Sequence, residues 1–407
     1  MKKIAIITKN TTFNKYFGGL EVHTKSLIEN LSQDYELHIF APKRELKNSE
    51  VFETNRSYFF IDVNYRTGFF SDFFNRNWYK GLLEFFNAKY KENNYDLIIS
   101  ISSAGYPLLK NKDLYNTNIV SICHGSAYSE FKSLINEQGL FSIPVLRNLP
   151  YFLYNYYFKQ VAFIKNSDFV VSVSSYVQSS VIKESGSKDF SKFKVIHNGA
   201  KIEAYQKDFT REGLLKVLFS GRIERSKGIF VLLDAIKDLN IKLYIAGDGS
   251  LLEEAKNKVL EMKIQDKAIF LGRLNYPELV NYYKEADILV APSLRIEGFP
   301  MSIVEAMSYY LPVIATKIGG NDDAVFENRN GFLITPGDTF ELKERIKFFD
   351  TYPEKIKEYG LNARNLTVQK FNVDLMISEY KSLIERFIIE SWEYLEFFMI
   401  GQDHGAV

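Results

Sequence analysis

Residues 297–320, EGFPMSIVEAMSYYLPVIATKIGG, reveal most about the architecture of this chain. The preceding segment DILVAPS (287–293) is typical of a buried strand that runs into a loop, and LPVIAT (311–316) predicts a second buried strand after a helix. Strand, loop, helix and strand form one βαβ unit, and ligands bind such units at the carboxyl ends of their strands. We therefore expect a binding site in the loop that contains Glu297.

Two glutamates of this segment suggest what the site binds. Glu297 lies in the loop and Glu305 lies inside the helix, with seven residues between them. Backbone N–H groups at the start of the helix can face a phosphate, while the loop carboxylate accepts hydrogen bonds from sugar hydroxyls. The carboxylate about two turns into the helix can take a second polyol, the ribose. An isolated glutamate pair is more often solvated surface charge, but its place in a βαβ unit favours a site.

Length and composition limit the classes of protein. A chain of 407 residues suits two domains, and 46% apolar with 25% charged residues is typical of a soluble globular protein. A net charge of +1 argues against a nucleic-acid partner bound through bulk charge. The single cysteine, Cys123, allows no disulfide within the chain and fits a reducing compartment. MKKIAIITKN predicts a first strand rather than a signal peptide. The sequence contains no run of 18 apolar residues, so we expect no membrane-spanning helix. Together these features lead us to expect a cytoplasmic protein.

Strands and helices alternate along the whole sequence. KKIAIIT opens the first half, and LKVLFSGRI (215–223) begins the pattern again after a polar boundary at about 198–208. Alternation of this kind predicts parallel, doubly wound sheets. We therefore predict an α/β fold of two Rossmann-like domains, residues 1–197 and 198–370, followed by a helical segment, residues 371–407.

The segment NVDLMISEYKSLIERF (372–387) predicts a helix with one apolar face, formed by Met376, Tyr380, Leu383 and Phe387. This face must dock against another part of the protein. Two arrangements remain open at this point: the helix packs on its own domain, or it crosses back to the first domain and ties the two together.

Two cations follow the first strand of the second half. Arg222 and Lys227 lie in the loop between this strand and the next helix. Arginine can bind phosphate oxygens bidentately and lysine adds a point charge, so the pair can hold a diphosphate. A random basic pair is more often two solvated loop cations, but this loop ends a strand at its carboxyl edge and can face the Glu297 loop.

The Gly247-Asp248-Gly249 segment is a weaker candidate. Leu252 stands where a dinucleotide-binding fingerprint needs its third glycine, so support for a nicotinamide-nucleotide site is weak. We favour a turn shaped by glycines, and a loop that lines a nucleotide pocket is the second possibility.

The first half offers two candidate contacts. His124-Gly125 ends a strand, and we favour a polar contact to the transferred sugar or acceptor over a packed histidine. Gly18-Gly19 would let a phosphate approach a helix N-terminus, and Glu21 is typical of a capping carboxylate. The sequence shows no cysteine pair, no histidine pair at helical spacing and no Asp-x-Asp run, so we expect no metal site.

With these residues identified, the chain resembles the retaining family 4 glycosyltransferases of the GT-B fold over nearly its whole length. The motifs that carry the resemblance are Gly18-Gly19 with Glu21, His124-Gly125, VSVSS (171–175), HNGAKIEAY (197–205), SGRIERSKG (220–228), AGDGSL (246–251), FLGRL (270–274), APSLRIEGFPMSIVEAM (291–307), PVIAT with GG (312–320) and NGFLI (330–334). Their order and spacing together make the signal specific.

The resemblance implies a UDP- or GDP-linked sugar donor, bound mainly by the second domain. It implies Arg222 and Lys227 on the diphosphate, Glu297 on the donor sugar, Glu305 on the ribose and His124 beside the reacting sugar, which makes His124 and Glu297 the candidate catalytic residues. The further implied donor contacts are Gly19, which closes the phosphate site, Gly298, Phe299, Pro300, Met301 and Ser302 around sugar and phosphate, and Gly247, Arg273 and Leu274 along the nucleotide pocket.

The resemblance further implies transfer with retention of anomeric configuration, no required metal or other cofactor, and a glycan or lipid-linked acceptor in cell-envelope or glycan biosynthesis. The chain departs from the family pattern at Arg295-Ile296, which resembles a two-residue insertion before Glu297. Two alternatives remain: a nucleotide-sugar epimerase of the same fold, which would need no acceptor cleft, and a non-catalytic sugar-binding or partner-binding relative.

Two aromatic segments raise the question of a membrane surface. Residues 58–86 and 141–165 mix phenylalanine, tyrosine, tryptophan and leucine with arginine and lysine, a mixture that suits a lipid interface. Because helices in both segments need core faces anyway, packing is the competing explanation. If the aromatic and basic residues do face lipid, we expect the protein to bind peripherally to the inner face of the membrane.

Overall fold

The fold is described by a computed structural model that covers the backbone of residues 1–11, 13, 18–43, 46, 48–62, 76–211 and 213–402, and the side chains of these residues other than 76, 77 and 390–402. Within this part of the chain, two predominantly parallel sheets are flanked by helices. The predicted α/β architecture of two Rossmann-like halves is confirmed.

The first sheet has eight strands among the described residues, in the order β3-β4-β2-β1-β5-β6-β7-β8. Only β3 among them pairs in the antiparallel direction. The strands are β1 Lys3–Ile7, β2 Glu36–Pro42, β3 Glu50–Glu53, β4 Arg56–Ile61, β5 Leu97–Ile101, β6 Ile119–Cys123, β7 Phe169–Ser172 and β8 Phe193–Val195. The central strands β5, β6 and β7 are buried along their length, as expected for a parallel sheet covered on both faces.

The helices of the first half in the described residues are α1 Gly19–Leu31, α2 Arg76–Glu92, α3 Tyr106–Lys110, α4 Ala127–Gln138, α5 Ile143–Tyr154, α6 Val161–Asn166 and α7 Ser175–Ser185. A π-helical turn, Asn155–Gln160, joins α5 to α6. Short 3-10 turns lie at Ser102–Gly105 and Lys112–Leu114.

The second sheet has six parallel strands in the order β11-β10-β9-β12-β13-β14. The strands are β9 Leu215–Ser220, β10 Ile241–Ala246, β11 Ala268–Gly272, β12 Ile288–Ala291, β13 Val313–Thr316 and β14 Gly331–Ile334. The strand order reverses between β9 and β12, which is where ligands bind in open sheets of this type. The loops of Lys227 and Glu297 follow these two strands.

The described helices of the second half are α8 Ile229–Ile236, α9 Leu252–Glu261, α10 Tyr276–Glu285, α11 Met301–Ser308, α12 Asn321–Ala324, α13 Thr339–Thr351 and α14 Pro353–Lys370, with a 3-10 turn at Arg225–Lys227. Their apolar faces form a core under the sheet that includes Leu232, Ile236 and Phe349.

The last helix, α15 Val373–Gln402, contacts the first half. The Tyr35 hydroxyl donates a hydrogen bond to Glu385 Oε1 at 2.5 Å, Lys381 pairs with Asp34, and the rings of Phe387 and Phe169 lie 5.5 Å apart. Of the two arrangements left open by the sequence, the structure shows the one that crosses back. The limits of the predicted domains stay a prediction.

No helix among the described residues is long and apolar enough to cross a bilayer.

Candidate active site

An ion pair between Lys227 and Glu297 lies where β9 and β12 end. Lys227 Nζ is 2.6 Å from Glu297 Oε1, and the Ser293 hydroxyl donates to the same oxygen at 3.0 Å. The backbone makes the pair possible at Gly228, where φ is +74° and a Cβ atom would lie 1.9 Å from the Pro292 carbonyl oxygen. Only glycine therefore lets the two loops approach this closely.

The surroundings of Glu297 keep it charged. Burial alone would raise the pKa of its carboxyl group, but the charge of Lys227 and the hydrogen bonds from Lys227 and Ser293 hold that pKa below its ordinary value. Glu297 is therefore an anion at neutral pH that keeps one oxygen, Oε2, for further partners.

Arg222 lies on the same loop as Lys227 but is held differently. Its Nη1 donates to Glu224 Oε1 at 2.7 Å, and its side chain is 59% exposed. The structure therefore brings Lys227 and Glu297 together directly, whereas Arg222 is a solvent-accessible cation paired with its neighbour. An exposed pair of this kind contributes little to stability, so exchanging Glu224 for a ligand anion costs little.

The glycine pair Gly319-Gly320, which follows β13, packs against the backbone of the Glu297 loop. Gly319 has a φ of +64°, and the Gly320 N–H donates to the Glu297 carbonyl oxygen at 2.9 Å. A Cβ atom at Gly320 would lie 2.1 Å from the Gly298 carbonyl oxygen. A Cβ atom at Gly319 would likewise lie 2.3 Å from the Glu297 carbonyl oxygen, so both positions require glycine.

The N-termini of α1 and α11 face one another across the cleft. A Cβ atom at Gly19 would lie 3.6 Å from the Met301 side chain, and one at Gly298 would lie 1.9 Å from the His124 carbonyl oxygen. Gly18 precedes α1, and its N–H donates to Glu21 Oε2 at 2.9 Å, so Glu21 caps the helix as expected. Helix N-termini present unpaired N–H groups and positive potential, which suits an anionic ligand.

The remaining predicted residues of this segment begin α11. Pro300 is the N-cap residue, Met301 is the first helical residue, Ser302 follows it, and Phe299 is buried against the His197 ring at 5.1 Å. The α11 N-terminus is thus held between the two halves of the protein.

Glu305 lies in a pocket of tyrosines. The Tyr283 hydroxyl donates to Glu305 Oε2 at 3.1 Å, and the Tyr283 ring stacks on Tyr309 with centroids 5.7 Å apart. Burial raises the pKa of Glu305 to about 7, and burial together with the Glu305 charge raises the pKa of Tyr276 to about 12. Glu305 is therefore poised to change charge near neutral pH.

His124 follows β6 in the first half. Burial, with the neighbouring His23, holds the pKa of His124 well below its ordinary value, so the ring is neutral. Its Nε2 atom has no hydrogen-bond partner among the described residues. A neutral imidazole at this position can donate to or accept from a sugar hydroxyl, but it adds no charge.

The Gly247 turn is a packed glycine turn. The Gly247 N–H donates to the Gly272 carbonyl oxygen at 2.8 Å, and a Cβ atom at Gly247 would lie 1.8 Å from the Gly221 carbonyl oxygen. Arg273 is exposed and Leu274 is partly buried just after β11. This geometry agrees with the turn we favoured, and the nucleotide-pocket role of Gly247, Arg273 and Leu274 remains a prediction.

Three hydrogen bonds between the halves were missed by sequence reasoning. The Ile296 N–H donates to Ser133 Oγ on α4 at 3.0 Å, so the Arg295-Ile296 departure joins the Glu297 loop to the first half. Asp323 Oδ2 accepts from His197 Nε2 at 2.8 Å and from the Ser175 N–H at 2.6 Å. The motifs HNGAKIEAY and VSVSS include His197 and Ser175, but no sequence pattern identified their partner Asp323.

No group of three or more histidine, cysteine, aspartate or glutamate side chains that could hold a metal ion occurs among the described residues.

Comparison with known proteins shows the family to which the chain belongs. Residues 201–366 match the sequence model of "Glycosyl transferases group 1", and residues 17–204 match that of "Glycosyltransferase Family 4". The chain belongs to the family 4 glycosyltransferases of the GT-B fold. The two matches join near the boundary between the sheets, as expected if each describes one half of this glycosyltransferase.

Individual proteins are similar to this chain in sequence or in fold. The glycosyltransferase is 27% identical over 375 residues to an uncharacterized glycosyltransferase of Methanocaldococcus jannaschii, which covers 91% of this chain and 95% of the relative. It is similar in fold to sucrose-phosphate synthase from Thermosynechococcus elongatus, with a TM-score of 0.78, 19% identity, and 96% and 100% of the two chains covered. It is also similar to HepE of Anabaena in complex with UDP-glucose, with a TM-score of 0.68, 18% identity, and 95% and 100% covered.

Proposed function

We propose that this glycosyltransferase transfers a hexose from a UDP- or GDP-linked sugar to a glycan or lipid-linked acceptor, with retention of anomeric configuration. The observation that carries the proposal is the Lys227–Glu297 pair, which lies beside the facing N-termini of α1 and α11. A cation, two helix ends and a carboxylate at one cleft suit a ligand that combines a diphosphate with a sugar. The UDP-glucose bound by HepE supports UDP as the first nucleotide to test.

The charges of the site suit the chemistry. Breaking the bond between the sugar and the diphosphate builds negative charge on the leaving group, and fixed cations and N–H groups that meet this charge lower the barrier. Lys227, Arg222 and the two helix N-termini would do this. Glu297, which keeps Oε2 for a ligand, would accept from the sugar hydroxyls, and neutral His124 would contact the sugar from the first half. Retention is supported by the family resemblance.

A two-stage experiment tests this function. A thermal-shift screen of nucleotide sugars identifies the donor, because a ligand that binds only the folded state raises the melting temperature. The donor is then incubated with glycan and lipid-linked acceptors, and the anomeric proton coupling of the product is measured by NMR. An α-linked product from an α-linked donor is expected. An epimer formed from donor alone would support the epimerase, and binding without transfer would support the non-catalytic relative.

Donor binding is expected to strengthen as pH rises from 6 to 8. The pKa of Glu305 is about 7, so the rise converts most of its carboxyl groups to carboxylate, a stronger acceptor for ribose hydroxyls. The expected decrease in Kd is roughly fivefold, about the difference between a charged and a neutral hydrogen bond. Calorimetry should use the sugar nucleotide, since the terminal phosphate of free UDP titrates near pH 6. A Glu305→Gln variant with the same pH profile as the wild type would contradict the ribose role.

We also propose that turnover needs no divalent metal, because Lys227, Arg222 and the helix N-termini supply the positive charge that the leaving diphosphate requires. Activity after dialysis against EDTA is expected to stay within about twofold of the untreated enzyme, a difference of less than about 0.5 kcal/mol in the barrier. Complete loss that Mn²⁺ or Mg²⁺ restores would contradict this proposal.

A membrane surface is the proposed location of the acceptor, on the cytoplasmic face. Along α5 and the π-helical turn, an exposed apolar face is formed by Leu140, Phe141, Ile143, Leu146, Leu149, Leu153, Tyr154, Tyr157 and Phe158. The rings of Phe152 on α5 and Phe131 on α4 stack at 4.1 Å, and α4 carries Ser133, which contacts the Glu297 loop. A lipid-linked acceptor anchored at this face would therefore reach the cleft.

The structure corrects part of the sequence argument for this surface. In residues 58–86, positions 63–75 lie outside the described residues, and the aromatic side chains Tyr58, Phe59, Phe60, Trp78 and Phe86 are buried in the core. Lys159, one of the basic residues of the 141–165 segment, is buried with its ammonium group 5.6 Å from the Tyr79 ring centroid, so it does not face a lipid surface. Among the described residues of the two segments, the 140–158 face is the surface on which we base the membrane proposal.

Co-sedimentation with anionic vesicles at low salt tests the surface. The wild type is expected in the pellet. For the Phe141→Ser/Phe158→Ser variant, at least half of the protein is expected in the supernatant. Phe190→Ser/Phe340→Ser removes two phenylalanines elsewhere that are also mostly exposed, and it should sediment like the wild type. A wild type that stays in the supernatant contradicts the proposal, as does a control pair that loses as much binding.

A further inference from the structure

His23, on α1, is buried against the candidate catalytic histidine. The His23 and His124 rings meet edge to face with centroids 4.6 Å apart and an interplanar angle of 73°. His23 is only 2% exposed, and burial lowers its pKa to about 4, so its ring is neutral. An edge-to-face contact between two rings fixes their relative orientation.

Tyr380 holds His23 from the other side. Its hydroxyl lies 3.3 Å from His23 Nε2, and the two rings are 5.8 Å apart. Tyr380 belongs to α15, which begins directly after the second half and crosses to the first. A neutral imidazole carries its proton on one nitrogen, and a hydrogen bond at Nε2 decides which.

Core packing alone does not explain this group. His23 Nδ1 and His124 Nε2 are both buried without a hydrogen-bond partner among the described residues. Burying unpaired polar atoms costs free energy, and apolar rings of similar size would fill the same space without that cost. The arrangement therefore favours orientation of a polar ring over stability.

We propose that His23 is a positioning residue that orients His124 for the transfer reaction, and that Tyr380 fixes His23, so that the C-terminal helix completes the active site of the first half. The inference rests on the proposed function only in its kinetic consequence. The contact chain from Tyr380 through His23 to His124 can be tested without any substrate.

Histidine ring NMR tests the contact chain directly, because the protein contains only five histidines. In ¹⁵N-histidine-labelled protein, Tyr380→Phe keeps the ring but removes the hydroxyl, and it is expected to shift the ring nitrogens of both His23 and His124. Tyr35→Phe removes another hydroxyl that joins α15 to the first half, at Glu385, and should shift neither. Signals are assigned with His23→Gln and His124→Gln.

Kinetics test the consequence. Tyr380→Phe is expected to lower kcat about tenfold with an unchanged donor KM, Tyr35→Phe should leave both unchanged, and His23→Phe/Tyr380→Phe should be no slower than His23→Phe alone. If Tyr380→Phe does not fold, His23→Asn replaces it: this variant is expected to shift the His124 ring nitrogens and to lower kcat.

The proposal is overturned if His124 signals and kcat do not respond to Tyr380→Phe, or if Tyr35→Phe has the same effects, since that would mean a general loss of packing. If the NMR shifts occur but the wild type transfers no sugar from any donor, the proposed function fails and the contact chain stands.

Discussion

Replacing Lys227 with methionine is expected to lower kcat/KM by about a hundredfold to a thousandfold, roughly 2.7–4 kcal/mol. The change keeps most of the unbranched side chain but removes the charge that meets the leaving diphosphate. It also leaves Glu297, paired with Lys227 at 2.6 Å, as a half-buried anion without its cation. Steady-state kinetics with the donor found by thermal shift measure the effect.

Two further variants make this result interpretable. Lys256→Met removes a partly exposed lysine of α9 that pairs with Glu253 at 2.8 Å, and it should leave kcat/KM unchanged. If Lys227 and Glu297 act as a unit, Lys227→Met/Glu297→Gln will be less impaired than the sum of the single changes. A folded Lys227→Met enzyme within threefold of the wild type would rule out the role of the pair.

The βαβ unit around Glu297 was predictable because its strands are short apolar runs bounded by proline and glycine. The sequence placed the strand at 287–293, whereas β12 is Ile288–Ala291. The reason is local. Pro292 has no N–H to donate to the sheet. The Ser293 hydroxyl donates to Glu297 Oε1 and lies 3.2 Å from the Ser226 carbonyl oxygen and 3.1 Å from that of Arg295, so it belongs to the loops rather than to the strand.

Direct pairing of Lys227 with Glu297 was not predictable, although each residue was singled out. Their contact depends on the reversal of strand order that makes β9 and β12 neighbours and on the close approach at Gly228. Strand order is a property of the whole chain, and a local pattern does not contain it. The sequence placed both residues at strand ends and left the distance between them open.

The packing partners of α15 also could not be predicted from a local sequence pattern. Periodicity identified the apolar face with Tyr380 and Phe387, but it does not say which half of the protein receives that face. The choice depends on contacts such as that of Tyr380 with His23, which is 357 positions away. Aromatic content likewise could not separate the buried Trp78 from the exposed Phe141, because both lie in segments that mix aromatic with basic residues.

Substituting alanine for Gly298 is the second change with a large expected effect. A methyl group there would lie 1.9 Å from the His124 carbonyl oxygen, and neither atom can rotate away because both are fixed to backbone. The Glu297 loop and the His124 loop must then separate by more than 1 Å. A displacement of about 1 Å between reacting groups can cost a hundredfold in rate, and we expect kcat/KM to fall by about that factor.

Nucleotide binding separates this effect from misfolding. The proposed diphosphate and ribose contacts lie mainly in the second half, so the Kd of the nucleotide should change by less than about threefold, under 0.7 kcal/mol. Gly125→Ala is a structural control, because a Cβ atom at Gly125 meets nothing within 4 Å. Small-angle scattering should show Gly298→Ala more open than both Gly125→Ala and the wild type. If Gly298→Ala instead keeps full activity and an unchanged scattering profile, close approach of the two halves at Gly298 is not required for transfer, and the site must be assembled in another way.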